Sequence, residues 1–333
     1  MDYALIWAIL ISVAVFAYVA LDGFDLGVAM LFPWFKKEEE RDIMMNTVAP
    51  VWDGNETWLV LGGGGLLAVF PLAYAVLMPA LYMPVIAMLL GLIFRGVAFE
   101  YRFKTKRGKK LWDWSFIVGS FVAAMSQGIM LGAMLQGVKV VDRAYAGGWF
   151  DWLTWFTVFC GFAVVVGYLL LGATWLVMKT EGALQERAYP LAYKAGVGLF
   201  ACIVFVSLFL PWQDAYIYER WFSFPTSIGL WVLPVLLVVL TIGLLNSLTK
   251  KQQGRPYLWS LGLFLIAYSG FAVSIFPYLV PREITLWEAA APDNSLVFLL
   301  VGAAVLLPII FAYTGYTYWV FRGKVRADSG YHD

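Results

Sequence analysis

The chain reads as an all-α integral membrane protein of nine transmembrane helices, and three observations carry that reading. Its 333 residues are 62% hydrophobic and 14% charged, with a mean hydropathy of +0.77, whereas about a quarter of the residues in a soluble domain are charged. Apolar runs long enough to cross about 30 Å of hydrocarbon at about 1.5 Å per residue occur about nine times along it. The basic residues gather in alternate connections between those runs, as cytoplasmic loops do. The 16 Trp and 18 Tyr crowd the ends of several runs, where interfacial belts form.

The first run covers 4–32. Met1-Asp2-Tyr3 has no basic n-region, and the run is longer than a signal-peptide core, so it reads as an uncleaved span. A polar stretch, 36–50, is amphipathic enough for an interfacial helix. The second and third runs, 55–76 and 78–101, are parted only by Phe70-Pro71 and Pro79, and a hairpin of two spans suits them better than one span of about forty residues. A basic loop leads to the fourth, 112–137, and a Gly-rich polar turn to the fifth, 150–178. The remaining runs are 191–210, 226–248, 257–279 and 295–321, each bounded by charged or Pro-containing connections. No linker interrupts the chain, so 1–333 reads as a single polytopic membrane domain. Nine spans divide into two four-helix bundles plus one peripheral helix. Phe70-Pro71 and Phe276-Pro277 echo each other too weakly to mark a repeat.

The charges test this count. Alternate connections hold Lys36, Lys37 and Arg41; Arg102, Lys104, Lys106, Arg107, Lys109 and Lys110; Lys179 and Arg187; Lys250, Lys251 and Arg255; and Arg322, Lys324 and Arg326. The opposite side has Lys139, Arg143, Arg220 and Arg282, while Arg95 and Lys194 fall within spans. This asymmetry places the N-terminus outside and the C-terminus in the cytoplasm. A net charge of +1 and the absence of a basic face beyond short loops exclude nucleic acid as a partner. Cys160 and Cys202 lie inside apolar runs and read as small buried hydrophobes, with no CxxC or CxxCH spacing. The single histidine, His332, stands in the polar tail. A haem or copper site usually requires intramembrane imidazoles, so the chain is expected to bind no metal or haem of its own.

Asp22 and Asp25 lie inside the first apolar run. Each aspartate at mid-membrane opposes insertion by about 2.5 to 3.5 kcal/mol, and the run's Leu, Ile, Val and Phe residues favour it by about 0.3 to 0.6 kcal/mol each. Insertion is near balance, which gives both acids the mark of a retained function or of a structural ion pair. At i and i+3 they share a helix face, and Gly23 and Gly27 allow another backbone close beside it. Counted from the end near Phe32, Asp25 and Asp22 lie about 10 and 15 Å deep. Arg95 sits at nearly the depth of Asp25 on the third span. Opposite charges at one depth tend to pair, and one Arg cannot neutralise two Asp; the group left over is protonated or hydrated, as a proton or ion path requires.

The second acidic pair, Asp53 and Glu56, lies in Trp52-Asp53-Gly54-Asn55-Glu56-Thr57-Trp58 at the start of the second span. Two readings stand. Asp53 and Glu56 form an N-cap and its capping box, or they are the outer members of a graded series of proton acceptors leading to the first pair. Gly62 to Gly65 favour close packing or a local helix break. Glu100 and Asp113 read as solvated ends. Thr285-Leu286-Trp287-Glu288-Ala289, after two prolines, reads as an ordered turn with Trp287 at the interface, in which Glu288 caps a short helix or, less favoured, contacts a partner.

Taken together, Leu21-Asp22-Gly23-Phe24-Asp25-Leu26-Gly27, Asn46 through Trp58, Phe94-Arg95-Gly96-Val97-Ala98-Phe99-Glu100-Tyr101-Arg102 and Thr285-Leu286-Trp287-Glu288-Ala289 resemble subunit II of the cytochrome bd-type quinol oxidases. The resemblance runs over essentially the whole chain and looks closest to the cyanide-insensitive branch. Some relatives carry His before the Trp and Gln in place of Glu56, so a role built on that His does not transfer. The resemblance implies a haem-free, nine-helix subunit in a bacterial cytoplasmic (inner) membrane. Its partner would be a larger subunit I holding two b-type haems, a d-type haem or its substitute, and the quinol-oxidising loop, and a small accessory subunit is a further partner. The complex would oxidise quinol and reduce dioxygen with cytoplasmic protons. Some relatives hold a structural quinone in this subunit, within membrane lipid. By motif match the resemblance implies roles for Asp22, Asp25, Trp52, Asp53 and Arg95, with Glu56 resting on position. The competing class is a self-contained transporter or channel built on the same buried charges and the Gly-rich second span.

Overall fold

The structure is a computed structural model describing residues 1–105 and 107–325, without the side chain of Thr226; Lys106, Arg326 and His332, used above, lie outside the described residues. Apolar sequence at helical spacing forms α1 (Tyr3–Leu31), followed by a 3-10 turn at Phe32–Trp34 and the amphipathic α2 (Glu38–Asn46). Next come α3 (Trp52–Val69), α4 (Pro71–Ala80), α5 (Tyr82–Arg102), α6 (Lys109–Gln136), α7 (Trp155–Lys179) and α8 (Gly182–Gln213). Two short helices, α9 (Ala215–Phe222) and α10 (Thr226–Leu230), precede α11 (Val232–Thr249), α12 (Arg255–Ile275), α13 (Leu286–Ala289) and α14 (Asp293–Val320). Two antiparallel hairpins, β1 (Val140–Val141) with β2 (Ala144–Tyr145) and β3 (Tyr278–Val280) with β4 (Ile284–Thr285), stand at the end of the bundle that holds the N-terminus, here the N face. The opposite end is the C face.

Among the described residues, eight helices are long and apolar enough to cross a membrane, and the bent pair α3–α4 supplies a ninth span. The chain is a multi-pass membrane protein. The second span differs from the 55–76 run. Phe70 takes a non-helical conformation, and the axis turns by 120° between α3 and α4. The apolar sequence continues past that break because α4 packs beneath β2, β3 and α13 at the N face. Gly62 to Gly65 cause no break: α3 runs unbroken through them, and Gly62 and Gly65 bring it against Val15 and Ile11 of α1.

The helices fall into two four-helix groups. In the first, α1 packs on α3 and α6, α6 on α5, and the Trp52 ring of α3 stacks on Phe99 of α5 at 4.9 Å. In the second, α7 packs on α8 and α12, and α11 on α8 and α12. Glycines at the crossings let backbones touch, as small residues do between membrane helices. Gly27 of α1 lies against Tyr168 and Gly172 of α7, Gly91 of α5 against Gly119 of α6, and Gly128 of α6 against Gly161 of α7. The first and last of these contacts join the groups through α7. α14 stays peripheral, resting on α1 and α3, with little beyond Leu296 buried along its length.

Candidate functional site

α1, α3 and α5 bring four charged side chains together inside the first group. Arg95 is fully buried and donates from Nη1 to Asp22 Oδ1 and from Nη2 to Glu56 Oε2, the latter at 2.7 Å. Asp25, also fully buried, is held by Asn55, whose Nδ2 donates to Asp25 Oδ2 at 2.8 Å and to the Leu21 carbonyl at 3.2 Å. Tyr318 of α14 donates to Asn55 Oδ1 at 2.8 Å. The guanidinium lies 6.0 Å from the Trp52 ring centroid, within cation–π range. The small Gly96, one residue on, leaves room for that indole.

The cation expected from depth is present, but it does not pair with the aspartate nearest it in depth. Arg95 takes Asp22, and Asp25 goes to Asn55, which no charge-based reading selects. Capping does not account for Asp53 and Glu56. The N-cap of α3 is Val51, with no side-chain cap; Asp53 is exposed in the first turn, and Glu56 reaches across to Arg95. Glu56 is the boundary member of the cluster, 28% exposed. Trp58 is buried against Phe311 at 4.9 Å.

Three carboxylates surround one guanidinium. If all three ionised, the site would hold two uncompensated negative charges in a low-dielectric interior, which is costly enough that at least one is protonated or hydrated. Asp22 Oδ2 and Asp25 Oδ1 have no hydrogen-bond partner among the described residues. A second line of polar groups leads toward Asp22: Tyr168 donates to Gln127 Oε1 at 2.5 Å, and Gln127 donates to the Tyr18 hydroxyl at 2.8 Å, one helical turn before Asp22. Sequence reading passed over Tyr18, Gln127 and Tyr168. A polar side chain such as Gln127 inside an apolar span was the available signal.

A separate cluster pins α2 at the C face. Arg102, fully buried, donates from Nε to Asp113 Oδ1 at 2.6 Å and from Nη1 to Asp42, and Arg41 donates to Asp113 Oδ2 at 2.7 Å. Asp113 is therefore buried and bound by two arginines rather than solvated, because α2 folds back over the α5–α6 connection. Lys109 donates to Glu38 at 2.6 Å and holds that carboxyl below its ordinary range. Glu100 is exposed and paired with Lys104. At the N face, Thr285 and Glu288 form a reciprocal capping box on α13, and Trp287 donates to Asp2.

Among the described residues no group of three His, Cys, Asp or Glu is placed to hold a metal ion. Nor do those residues include a histidine, so they do not fit a histidine-ligated haem.

A sequence-family profile described as cytochrome bd terminal oxidase subunit II matches residues 3–321. The chain is 32% identical to the cytochrome bd-I ubiquinol oxidase subunit 2 of Escherichia coli, covering 97% of this chain and 95% of that protein. It is 31% identical to a probable cytochrome oxidase subunit 2 of Haemophilus influenzae, over the same shares. Identity to the cytochrome bd ubiquinol oxidase subunit 2 of Bacillus subtilis is 29%, over 96% of each chain. Among solved structures, a chain of the bd oxidase from Geobacillus thermodenitrificans has the same fold, with a TM-score of 0.76 at 16% identity over 96% of this chain and 99% of that one.

Proposed function

The chain belongs to the family of subunit II of the cytochrome bd terminal oxidases, part of an oxidoreductase complex, and from that membership we propose that it supports assembly of a haem-bearing subunit I and conducts protons toward its dioxygen-reducing site. The excess of carboxylates over cations around Arg95 carries this reading, because carboxylates beyond what one guanidinium can neutralise need a proton or water, and groups so placed can also pass a proton on. Haems b and d, or a substitute haem, would reside in subunit I, which would oxidise quinol and reduce dioxygen. The complex would lie in a bacterial cytoplasmic membrane with the C face inward.

In this proposal Asp25 and Asp22 are the proton-holding groups, Arg95 sets their charge balance, and Glu56 and the exposed Asp53 are outer acids. No observation favours a self-contained transporter: the helix break that reading needs at mid-depth falls instead at Phe70, on the N face. Two measurements test the proposal. Purification in native membrane should return a larger partner with haem absorption bands; a haem-free protein moving solute alone would end it. In the complex, Asp25→Asn should lower quinol oxidase turnover roughly tenfold or more with haem content unchanged, and Asp53→Asn should lower it less. Normal turnover of Asp25→Asn across pH would leave the cluster a packing element.

A further inference from the structure

Between the end of α2, the 47–51 loop and the C-face ends of α7 and α14 lies a cavity of about 290 Å³. At about 30 Å³ per water it has room for several. Two residues of its wall, Asn46 and Trp175, hold buried polar atoms, Oδ1 and Nε1, with no partner among the described residues. Buried polar groups in native proteins are satisfied, by water where protein does not reach them. Lys179 and Lys324, also in the wall, donate to the Phe321, Gly323 and Thr180 carbonyls that end α14 and α7. Those ammonium groups are absorbed by helix ends, so the cavity, apolar over most of its lining, offers a few polar partners for water without being an anion site.

Tyr318 joins this cavity to the carboxylates. It lines the wall, packs edge-on to Trp175 at 6.2 Å, and donates to Asn55, which donates to Asp25. The ionisable groups around Asp25 are Asp22 on its own helix, Glu56 on α3, Arg95 on α5, Tyr257 on α12 and Tyr318 on α14. Glu56, on the other flank, is tied to the Arg95 guanidinium, whereas Asp25 Oδ1 has no partner among the described residues. Among the described residues the cations of the cavity flank are Lys179 and Lys324, each engaged with backbone carbonyls.

We propose that this cavity is the hydrated entry through which protons reach Asp25, with Asn55 and Tyr318 as positioning residues that hold the carboxylate at its inner end. Asn55 does not carry the proton: its amide accepts at Oδ1 and donates at Nδ2, and passing a proton would require the unstable imidic acid. Its place is to fix Oδ2, which leaves Oδ1, buried and without a partner among the described residues, to take the proton. The transfer forms an O–H bond at Asp25 Oδ1 and breaks one in the donating water, whose hydroxide is reprotonated from the aqueous phase. This inference rests on the proton-supply reading above.

The test uses the whole oxidase complex carrying Val320→Cys, a half-exposed position in the cavity wall, with the same preparation assayed before and after a bulky aqueous thiol reagent and again after reduction. Both native cysteines lie in spans, and reagent-treated wild type controls for them. Modification should lower quinol oxidase turnover several-fold, most at alkaline pH where protons are scarce, and reduction should restore it. Tyr318→Phe, which keeps the ring, should shift the pH profile of turnover with haem content unchanged. Stoichiometric modification with turnover unchanged at every pH, while Asp25→Asn impairs it, would overturn the cavity as the entry and leave the proton-supply reading standing. If Asp25→Asn is also without effect, the proton-supply reading itself has failed and the entry falls with it.

Discussion

At the residue scale the fate of Arg95 turns on its neighbours' charges. Removing the guanidinium leaves Asp22, Asp25 and Glu56 facing one another in a buried site, and breaking a buried pair from one side costs about 3–5 kcal/mol. Arg95→Gln should therefore lower the thermal stability or yield of the complex by that order, and adding Asp22→Asn should recover part of it. Recovery is read from the melting curve of the double variant; none at all would mean that Asp22 is not the partner that matters. Counting residues from a helix end gave the depth of these groups and so the expectation that Arg95 meets an aspartate. It did not give rotation about the helix axis. Asp22 and Asp25 sit about 60° apart around α1 at 3.6 residues per turn, enough to turn one toward α5 and the other toward Asn55 of α3. The choice between them depends on where α3 stands, which no local pattern in the sequence reports.

At the scale of elements, glycines separate into those that set a crossing and those that do not. A Cβ at Gly27 would run into the Tyr168 and Gly172 backbone, which has no side-chain end to move, whereas a Cβ at Gly64 meets nothing within 4 Å. Gly27→Ala should thus prise α1 from α7 and lower stability by about 1–3 kcal/mol, the usual cost of overpacking. Gly64→Ala should be neutral or stabilising by up to about 1 kcal/mol through helix propensity; thermal unfolding in detergent compares the two. The α13 capping box supplies a pH prediction. The Thr285 backbone amide and hydroxyl hold the Glu288 carboxyl below its ordinary range. A depressed carboxyl contributes stability that is present above its unfolded pKa of about 4.3 and lost as pH falls through the lower folded value. Hydrogen exchange around α13 should accordingly be faster in Glu288→Gln than in wild type near neutrality, and the difference should close in acid. Long apolar runs made the spans legible, and the S/T-x-x-E pattern made this cap legible. The break at Phe70 was not, because hydropathy records that a segment is apolar and says nothing of its direction; α4 is apolar to fit beneath the N-face hairpins.

For the whole molecule, the two four-helix groups meet where α1 and α6 carry small residues against α7, and the sequence shows these only as scattered glycines. Sidedness is different, since it depends on composition alone. The described basic residues of the charge-rich connections, among them Lys36, Lys37, Arg41, Arg187, Lys250 and Arg322, stand at the C face, and Lys139, Arg143, Arg220 and Arg282 at the N face. By the positive-inside rule that asymmetry is expected to place the C face toward the cytoplasm, which would also turn the proposed cavity toward the cytoplasmic proton supply. Lys139→Cys and Gln253→Cys, both exposed and on opposite faces, test this. In right-side-out cells an impermeant maleimide should label the first and spare the second, and inverted vesicles should reverse the result. The opposite pattern would place the cavity on the outer side of the membrane. Protons taken up from the cytoplasm would then have to cross the bundle before reaching Asp25, and the entry would have to be sought on the Glu56 flank or in the partner subunit.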